Sequence, residues 1–284
     1  MKTVFFNGEF VPEESAHVSV FDRGFLYGDG LFETLRIYNT HPFRWQSHWE
    51  RFAAGADCLQ IPLSITSEDA LALVRELLRR NSTGNAIVRI NLSRGQGKRG
   101  YSTRNSHSPA FVISLHEAPT SPEKPVCWRV RTSSLRVLKK DPLAAIKTSS
   151  KLLQVMAKAE AEQSGHDEAL LLNSEGEVAE GTSGNVFWIE AGKVCTPPLD
   201  AGILPGVTRA VVLEICKETG IPHEEKAATL TELKNAEAAF LTLSSLEMVE
   251  IQTLDEHCFP GSDLLRKLLQ SYRQVVALEI ARTA

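Results

Sequence analysis

The sequence predicts an α+β protein of two domains, and three observations support this. "TVFFNGEFVP" carries an Asn-Gly pair between apolar runs, which indicates a tight β-hairpin. "PTSPEKP" is Pro-rich, polar and without periodicity, as linkers are. The block from Asp167 onward consists of short apolar runs separated by glycines, which is typical of a barrel-like sheet. We therefore expect a smaller N-terminal α+β domain at 1–118, a linker at 119–125, and a larger C-terminal domain with a barrel-like sheet at 126–284.

The expected elements of the N-terminal domain follow from local patterns. "TSEDALALVRELLRRN" predicts a helix, because Thr66 or Ser67 can cap its start, acids follow in the first turn and arginines close the last. Apolar patterns predict a second helix and three more strands. In chain order these are the strand "GLFETLRIYN", the helix "QSHWERFAAGADCLQ", and the strands "NAIVRINLSRG" and "PAFVISLHEA".

The C-terminal part predicts three longer helices among its strands. The stretch "PLAAIKTSSKLLQVMAKAEAEQ", from Pro142 to Gln163, is expected to form one amphipathic helix that carries Lys147 and Lys151 a turn apart. "GVTRAVVLEICKETG" predicts a helix that ends at Gly220, a favourable residue after a helix C-terminus. "SDLLRKLLQSYRQVVALEIA" predicts the closing helix.

Composition and charge narrow the class of protein. The 284 residues are 43% hydrophobic and carry a formal net charge of -4, which gives no support for nucleic acid or an anionic membrane as partner. No stretch approaches the roughly 20 apolar residues of a membrane helix, and the N-terminus does not resemble a signal peptide. Five dispersed cysteines and eight scattered histidines indicate reduced thiols and no metal site. We expect a soluble, cytoplasmic protein.

One local signal suggests an anion-binding helix start. In "ILPGVTRAVVLEI", Gly206, Val207 and Thr208 open a helix whose free N–H groups and positive dipole end could hold an anion, with the Thr208 hydroxyl as a further donor. The alternative is an ordinary turn and cap.

Four further side chains have both a functional and an ordinary interpretation. Ser244 and Ser245 end a strand and either satisfy its backbone or donate to a ligand. Glu180 lies between small residues and apolar strands, where a carboxylate is either exposed or paired. Arg51, in "SHWERF", is most simply an exposed helix cation.

Lys147 follows an apolar run and precedes three hydroxyl residues, so it is either solvated or a held nucleophile. Together, a lysine amine, an anion site, an arginine and a carboxylate are what pyridoxal 5'-phosphate requires. The lysine forms the Schiff base, the helix start and arginine hold the phosphate, and the carboxylate keeps the pyridine nitrogen protonated.

Six motifs in order carry a family resemblance. "FFNGEFVP", "FDRGFLYGDGLFETLR", "HWERF", "DEALLLNSEGEVAEGTSGNVF", "LPGVTR" and "LSSLE" resemble the class IV aminotransferase family, the fold-type IV pyridoxal phosphate enzymes. That family includes branched-chain aminotransferases, D-amino acid aminotransferases and aminodeoxychorismate lyases. The resemblance implies the two-domain fold of the D-amino acid aminotransferases, a homodimer and an amino-acid-type substrate.

The resemblance also assigns roles to the residues that match these motifs. Lys147 matches the Schiff-base lysine, Glu180 the partner of the pyridine nitrogen, and Arg51 the phosphate-binding arginine of an H-x-x-R pattern. The "GVT" segment matches the phosphate cradle, and Ser244 and Ser245 match the hydroxyl pair after the late strand. Lys151 matches no catalytic residue.

The segment "LSRGQGKRGYSTRNS" favours one branch of the family. It resembles the R-G-x-G-x-R-G-Y-S-T segment of aminodeoxychorismate lyases, which implies that Arg99 and Tyr101 contact substrate carboxylates. The alternative is a hairpin tip with solvated arginines. Leu152 stands where branched-chain enzymes have a tyrosine, which weakens that assignment.

Other positions favour transamination. Ser150 replaces an asparagine usual in the lyases, and "LSS" replaces their T-N-S. The R-x-H carboxylate trap of D-amino acid enzymes is not evident in "GKRGYSTR".

The first specific prediction is 4-amino-4-deoxychorismate lyase, which releases pyruvate and 4-aminobenzoate, and the alternative is an amino acid aminotransferase. A cofactor-free binding protein or an unrelated phosphate-ligand enzyme would leave most of the motifs unexplained.

Overall fold

The computed structural model describes residues 2–119 and 126–283. Of the expected linker, the residues after Pro119 lie outside the described part. Two compact units make up the chain. The first comprises Met1–Pro119, Ile146–Lys151 and Ile280–Ala284, and the second comprises Thr120–Ala145 and Leu152–Glu279. The expected domain boundaries stay a prediction, and the segment with Lys147 groups with the first unit.

The first unit contains a six-stranded sheet covered by helices. In chain order, its elements are β1 (Thr3–Phe6), β2 (Glu9–Pro12), α1 (Arg23–Tyr27), β3 (Gly30–Tyr38), β4 (His41–Pro42), α2 (Trp45–Cys58), α3 (Ser67–Arg80), β5 (Ala86–Ser93) and β6 (Phe111–Glu117). The strand order is β2-β1-β6-β5-β3-β4, and all of these pairs are antiparallel.

Sequence signals in this unit form the elements expected of them. Asn7 and Gly8 both have positive φ and join β1 to β2, as a tight hairpin turn requires. The Thr66 hydroxyl accepts the Asp69 N–H and caps α3. Strand β5 alternates buried and partly exposed residues, so one of its faces packs into the core of the unit. That core contains Leu35, Phe52 and other apolar side chains of β3, α2, α3 and β5.

The second unit is built on a larger sheet. In chain order, its elements are β7 (Val126–Val137), α4 (Leu152–Gln163), β8 (Glu168–Asn173), β9 (Val178–Gly181), β10 (Asn185–Glu190), β11 (Lys193–Thr196), α5 (Val207–Thr219), β12 (His223–Glu225), α6 (Leu230–Lys234), β13 (Ala238–Leu243), β14 (Glu247–Leu254), β15 (His257–Cys258) and the closing helix α7 (Asp263–Thr283), whose last residues belong to the first unit.

Pairing closes part of this sheet on itself. The strands β10-β13-β14-β7-β8-β9 follow one another, and β9 pairs back to β10 through Glu180 and Asn185. The expected barrel-like sheet is therefore confirmed. Strands β8 and β13 are buried along their whole length, which explains why "EALLLN" and "AAFLTL" are nearly continuous apolar runs rather than alternating ones.

The expectation of one helix from Pro142 to Gln163 is wrong in its first half, because α4 begins only at Leu152. The residues before it pair with β3 instead: Leu31 forms a bridge with Thr148, and Ser149 N–H donates to Gly30 O at 2.8 Å. Three consecutive hydroxyl residues are weak helix formers, and β3 offers their backbone an alternative set of partners. Lys147 therefore lies on an extended segment.

Neither a membrane span nor a metal cluster is found in the described residues. No helix there is long and apolar enough to cross a membrane. No cluster of three or more histidine, cysteine or acidic side chains in the same residues could hold a metal ion.

Candidate active site

Lys147 is fixed by its backbone to the edge of β3. Its carbonyl accepts the N–H of Phe32 at 2.9 Å, and its ammonium nitrogen lies 4.9 Å from the centre of the Phe32 ring. The side chain is only partly exposed. The sheet edge thus holds this amine over an aromatic face, unlike a lysine on a solvated helix surface.

Arg51 lies on α2 and binds the carboxylate of Glu33 on β3 with two donors. Its Nε and Nη2 atoms are 2.7 and 2.9 Å from the two carboxylate oxygens, a bidentate arrangement. The ring of His48, one helical turn before Arg51, meets the same carboxylate at 2.8 Å. Glu33 and His48 are buried, and the Arg51 side chain is 10% exposed. Lys147 lies near enough to this cluster for its charge to lower the pKa of His48.

Electrostatics of this cluster favour an ionised carboxylate and a neutral imidazole. Burial alone would raise the pKa of Glu33, but hydrogen bonds from His48 and Arg51 and the charge of Arg51 lower it to about 2. Burial lowers the pKa of His48, and the charges of Arg51 and Lys147 add to that effect, against the opposing pull of Glu33. The pair Arg51–Glu33 is therefore ionic over the physiological range, with His48 as a neutral donor.

Arg89 adds a second cation beside Phe32. It lies on β5, with its guanidinium carbon 3.8 Å from the centre of that ring, and its Nε donates to Asn91 Oδ1 at 3.0 Å. Burial lowers its pKa, although an arginine remains charged. The Phe32 ring thus has both an amine and a guanidinium against it, a setting suited to an anionic substrate with an apolar body.

In the second unit, Glu180 on β9 is held by two donors. The Asn185 side-chain amide and the Leu204 N–H each lie 3.1 Å from its Oε2 atom. Asn185 is buried, and it also donates to Leu204 O at 2.8 Å. The carboxylate is therefore oriented by the β10 strand and the loop that precedes α5.

The start of α5 lies directly after that loop. Gly206 is its N-cap residue, and no side-chain cap bond is formed there, so no cap side chain occupies the first N–H groups of the helix. A Cβ added to Gly206 would overlap Asn185 Oδ1. Thr208 is buried, with its hydroxyl 3.5 Å from that of Ser244 in the turn between β13 and β14. Ser245 follows Ser244 in this turn and is partly exposed.

Arg99 and Tyr101 lie in the loop between β5 and β6. Arg99 is exposed, and Tyr101 is 86% exposed, with its ring edge-on to Tyr27 at 5.5 Å. This loop belongs to the first unit, as do Lys147 and Arg51.

The comparisons with known proteins agree on the family. Residues 30–254 match the amino-transferase class IV family. The chain belongs to that family. Its members are pyridoxal-phosphate-dependent enzymes, so the chain is an enzyme of the class IV aminotransferase type.

Curated relatives of this class IV chain carry different activities in their names. A Methanocaldococcus jannaschii protein, provisionally named a branched-chain-amino-acid aminotransferase, is 36% identical, with 96% of each chain covered. An aminodeoxychorismate lyase of Bacillus subtilis is 33% identical over 89% of this chain and 87% of the relative. A D-alanine aminotransferase of Staphylococcus epidermidis is 32% identical over 97% and 98%.

Solved structures confirm the fold of a class IV aminotransferase. A branched-chain aminotransferase of Thermoproteus uzoniensis, solved with norvaline, superposes with a TM-score of 0.90 at 30% identity, covering 97% of this chain and 95% of that one. A branched-chain aminotransferase of T.th., solved with N-(5'-phosphopyridoxyl)-L-glutamate, gives a TM-score of 0.88 at 27% identity, covering 96% and 93%.

Several residues of this class IV site are not indicated by the sequence patterns. Glu33 sits on a strand whose residues are nearly all buried, so a carboxylate there was a detectable sign of a paired charge. His48 and Arg51 form the H-x-x-R pattern of α2, but that pattern does not reveal that both side chains bind Glu33. Asn185 and Arg89 gave no such signal, because their importance depends on what the sheets place beside them.

Proposed function

We propose that the chain binds pyridoxal 5'-phosphate and acts on an amino-acid-type substrate. Lys147 and Arg51 are the proposed ligands in the first unit, with Lys147 bonded to the aldehyde carbon and Arg51 to the phosphate. The observation that carries this proposal is that Lys147 lies beside the Arg51–Glu33–His48 cluster, where its charge lowers the pKa of His48. The donor set fits the group, since it offers an amine and a cation fixed by a buried carboxylate.

The second unit supplies the other proposed ligands. Glu180, held by Asn185 and the Leu204 N–H, would pair with the protonated pyridine nitrogen. The backbone from Gly206 to Thr208 and the hydroxyls of Thr208, Ser244 and Ser245 would bind phosphate oxygens. At position 206 a Cβ would overlap Asn185 Oδ1. The glycine there lets Asn185, which holds the Glu180 carboxylate, approach the start of α5 closely.

When bound, the cofactor supplies an electron sink that makes the proton on the substrate α-carbon acidic. The amine of Lys147 takes that proton as general base and can return it at another atom. The Phe32 ring lies beside this amine, with its centre 4.9 Å from the nitrogen. Arg51 stays bound to Glu33 throughout, so the phosphate contact is preorganised.

For the specific reaction we propose 4-amino-4-deoxychorismate lyase. Lys147 removes the α-proton, the bond from the ring carbon to the enolpyruvyl oxygen breaks, and the ring becomes aromatic 4-aminobenzoate. The departing enolpyruvyl group takes up a proton and leaves as pyruvate, so atoms and electrons balance without an acceptor. The segment "RGQGKRGYST", which carries Arg99 and Tyr101, supports this choice, and Arg89 beside Phe32 offers a further cation for a carboxylate.

Amino acid transamination, of the branched-chain or D-amino acid type, is the second candidate. The Methanocaldococcus jannaschii and Staphylococcus epidermidis relatives favour it, because their names describe aminotransferases and their alignments span nearly the whole chain. In that reaction Lys147 would move the α-proton, the substrate would leave as its oxoacid, and a 2-oxoacid acceptor would take up the amino group.

One assay separates the two candidates. The purified protein, loaded with pyridoxal phosphate, is given 4-amino-4-deoxychorismate without an oxoacid, and pyruvate and 4-aminobenzoate are measured. Sustained equimolar release supports the lyase, with Lys147→Ala as the inactive control. A folded, cofactor-bound protein that releases no pyruvate would reject it, and a screen of D- and L-amino acids with 2-oxoglutarate or pyruvate would then test transamination.

We also propose that the enzyme is a cytoplasmic homodimer. Large apolar side chains of the first unit, among them Phe21 and Phe25, are 64% and 73% exposed, more than a monomer is expected to leave in one segment. The five cysteines all fall in the described residues and form no disulfide there, which suits a reducing compartment. Light scattering should give a mass near twice 31.3 kDa, and Phe25→Glu should halve it.

A further inference from the structure

We propose that Arg23 is a positioning residue that holds the backbone of residues 97–102, the anchored loop, and so presents Arg99 and Tyr101 to the substrate. The structural part, anchoring, follows from contacts within the first unit. The part that concerns substrate rests on the proposed function of Arg99 and Tyr101.

Arg23 binds three consecutive carbonyls of the anchored loop. Its Nη1 atom donates to Gly100 O at 2.9 Å and to Ser102 O at 3.1 Å, and its Nη2 atom donates to Tyr101 O at 3.3 Å. The residue is buried, at 3% exposure, whereas Tyr101 is 86% exposed. The buried guanidinium of Arg23 therefore binds the main chain of a segment whose side chains face outward.

The guanidinium of Arg23 is itself fixed from behind. Its Nε atom donates to Asp29 Oδ2 at 2.7 Å, and Arg94 donates to the same carboxylate. Burial alone would raise the pKa of Asp29, but its bonds to Arg94 and Arg23 lower it, so the carboxylate stays charged. Arg94 is held in turn by the carbonyls of Leu59 and Gln60. Arg23 thus has no freedom to follow a moving loop.

Tyr27, on the same helix as Arg23, also contacts the anchored loop. Its hydroxyl accepts the Gly100 N–H at 3.1 Å, and its ring meets that of Tyr101 edge-on. The Arg23 guanidinium lies over the Tyr27 ring, 5.1 Å from its centre. Gly100 has φ of +107°, a conformation that other residues rarely adopt, and both of its peptide groups are used by α1.

The hydrogen bonds that Arg23 and Tyr27 form with the anchored loop go to its backbone atoms, and the ring contact is made with the Tyr101 side chain. The conformation of the anchored loop is therefore set by α1 and not by the side chains that the loop displays. This separates two tasks: Arg23 and Tyr27 determine where the loop lies, and Arg99 and Tyr101 are free to meet a ligand.

Proteolysis tests anchoring without any need for activity. Lys98, Arg99 and Arg104 are exposed trypsin sites in or beside the anchored loop. Arg23→Lys keeps the charge but loses the guanidinium group that binds several carbonyls at once. Loss of two net hydrogen bonds should raise the open population, and with it the cleavage rate after Lys98 and Arg99, about 10-fold or more. Arg75→Lys, at an exposed position on α3, is the matched control and should cleave as wild type does.

A second variant covers the case in which Arg23→Lys does not fold. Tyr27→Phe removes only the hydroxyl that accepts the Gly100 N–H and keeps the ring, so a smaller, few-fold rise in cleavage is expected. Folding is checked by circular dichroism and thermal unfolding. If both folded variants are cleaved at the wild-type rate, anchoring by α1 is wrong.

Kinetics then test the link to substrate. With whichever substrate the wild-type enzyme turns over, Arg23→Lys should raise KM by about 10-fold and change kcat by less, because Lys147 is untouched. Faster cleavage with an unchanged KM would overturn the substrate part alone. A wild-type protein inactive in both the lyase and transaminase assays would reject the proposed function, while the proteolysis result would still decide the anchoring.

Discussion

Two regions of this enzyme are proposed to bind phosphate, and they are built in opposite ways. In the first unit, Arg51 is a full charge neutralised in advance by buried Glu33. In the second unit, the start of α5 offers backbone N–H groups, the Thr208 hydroxyl and a partial dipole charge, with no side-chain cap. One region depends on an ion pair, and the other depends on helix geometry and on a glycine.

This difference in construction determines which kind of amino-acid substitution each region tolerates. A buried ion pair is strongly damaged when one partner is removed, since the other is left charged away from water. A helix start keeps its N–H groups whatever side chains surround it, so it is damaged mainly by bulk that displaces the backbone. Substitutions that remove a charge should therefore damage the first region most, and substitutions that add volume should damage the second region most.

Arg51→Gln should have the largest effect. Without the guanidinium, Glu33 keeps only His48 as a strong partner, and breaking a buried pair costs about 3 kcal/mol. The loss of repulsion from Arg51 should also raise the pKa of His48. Urea unfolding, followed by the fluorescence of Trp45 and Trp49, measures the first effect, and absorbance titration of the apoprotein measures cofactor affinity, which should fall at least 100-fold.

The matched control for this substitution is Arg79→Gln. Arg79 also binds a glutamate, Glu76, at 2.7 Å, but its side chain is 71% exposed. An exposed pair in solvent contributes little to stability, so little change in unfolding is expected. Equal losses in the two variants would show that the Arg51–Glu33 pair is not a buried one in solution.

The second-largest effect should come from lowering the pH, which should destabilise the first region. The pKa of Glu33 is lowered to about 2 in the folded chain from an ordinary value of 4.5. A depressed folded pKa means that its contribution, about 3 kcal/mol, is complete above pH 5 and is lost as the pH falls toward 2. His48, whose pKa is also lowered by burial, acts in the same direction below pH 6.5.

Glu33→Gln should therefore flatten the acid limb of the stability curve. Glu76→Gln is the comparison, since the pKa of Glu76 is also lowered to about 2 by Arg79 and Arg80, but in solvent. Unfolding midpoints from pH 7 to pH 3 measure both. An acid limb equally steep in Glu33→Gln and wild type would contradict the assignment.

The extent to which the sequence predicts this fold depends on how local each signal is. The hairpin at Asn7-Gly8 and the cap at Thr66 were predicted correctly, because each is determined by a few adjacent residues. The start of α4 was not, since the segment around Lys147 pairs with β3 more than a hundred residues earlier. A non-local strand partner leaves little trace in the sequence of the segment that it binds.

The site shows the same division. Residues in motifs, such as Lys147 and Glu180, could be picked out through the family resemblance. Their supports could not: Glu33 and Asn185 matter because folding brings them to Arg51 and Glu180. Nor does a glycine in a Pro-Gly turn reveal that Asn185 fills the space where its side chain would be.

Gly206→Ala should have an intermediate effect and act through volume. The new methyl group would overlap Asn185 Oδ1, and overpacking of this kind costs about 1–3 kcal/mol. Because Asn185 also holds Glu180, cofactor affinity should fall together with stability. Gly84→Ala, where a Cβ would meet only ordinary contacts at 3.7 Å, is the control. A Gly206→Ala enzyme as stable as Gly84→Ala would remove the steric argument.

Thr208→Ala should have the smallest effect of the four. It deletes one hydroxyl, which lies 3.5 Å from that of Ser244, and leaves the helix N–H groups in place. A hydrogen bond from one hydroxyl to a charged phosphate oxygen contributes about 1.5 kcal/mol, so cofactor affinity should fall about 10-fold, with little change in unfolding. The loss should also be nearly independent of salt, unlike that of Arg51→Gln, because no full charge is removed. A loss as large as that of Arg51→Gln would mean that the hydroxyl, and not the helix backbone, is the main phosphate donor in the second unit.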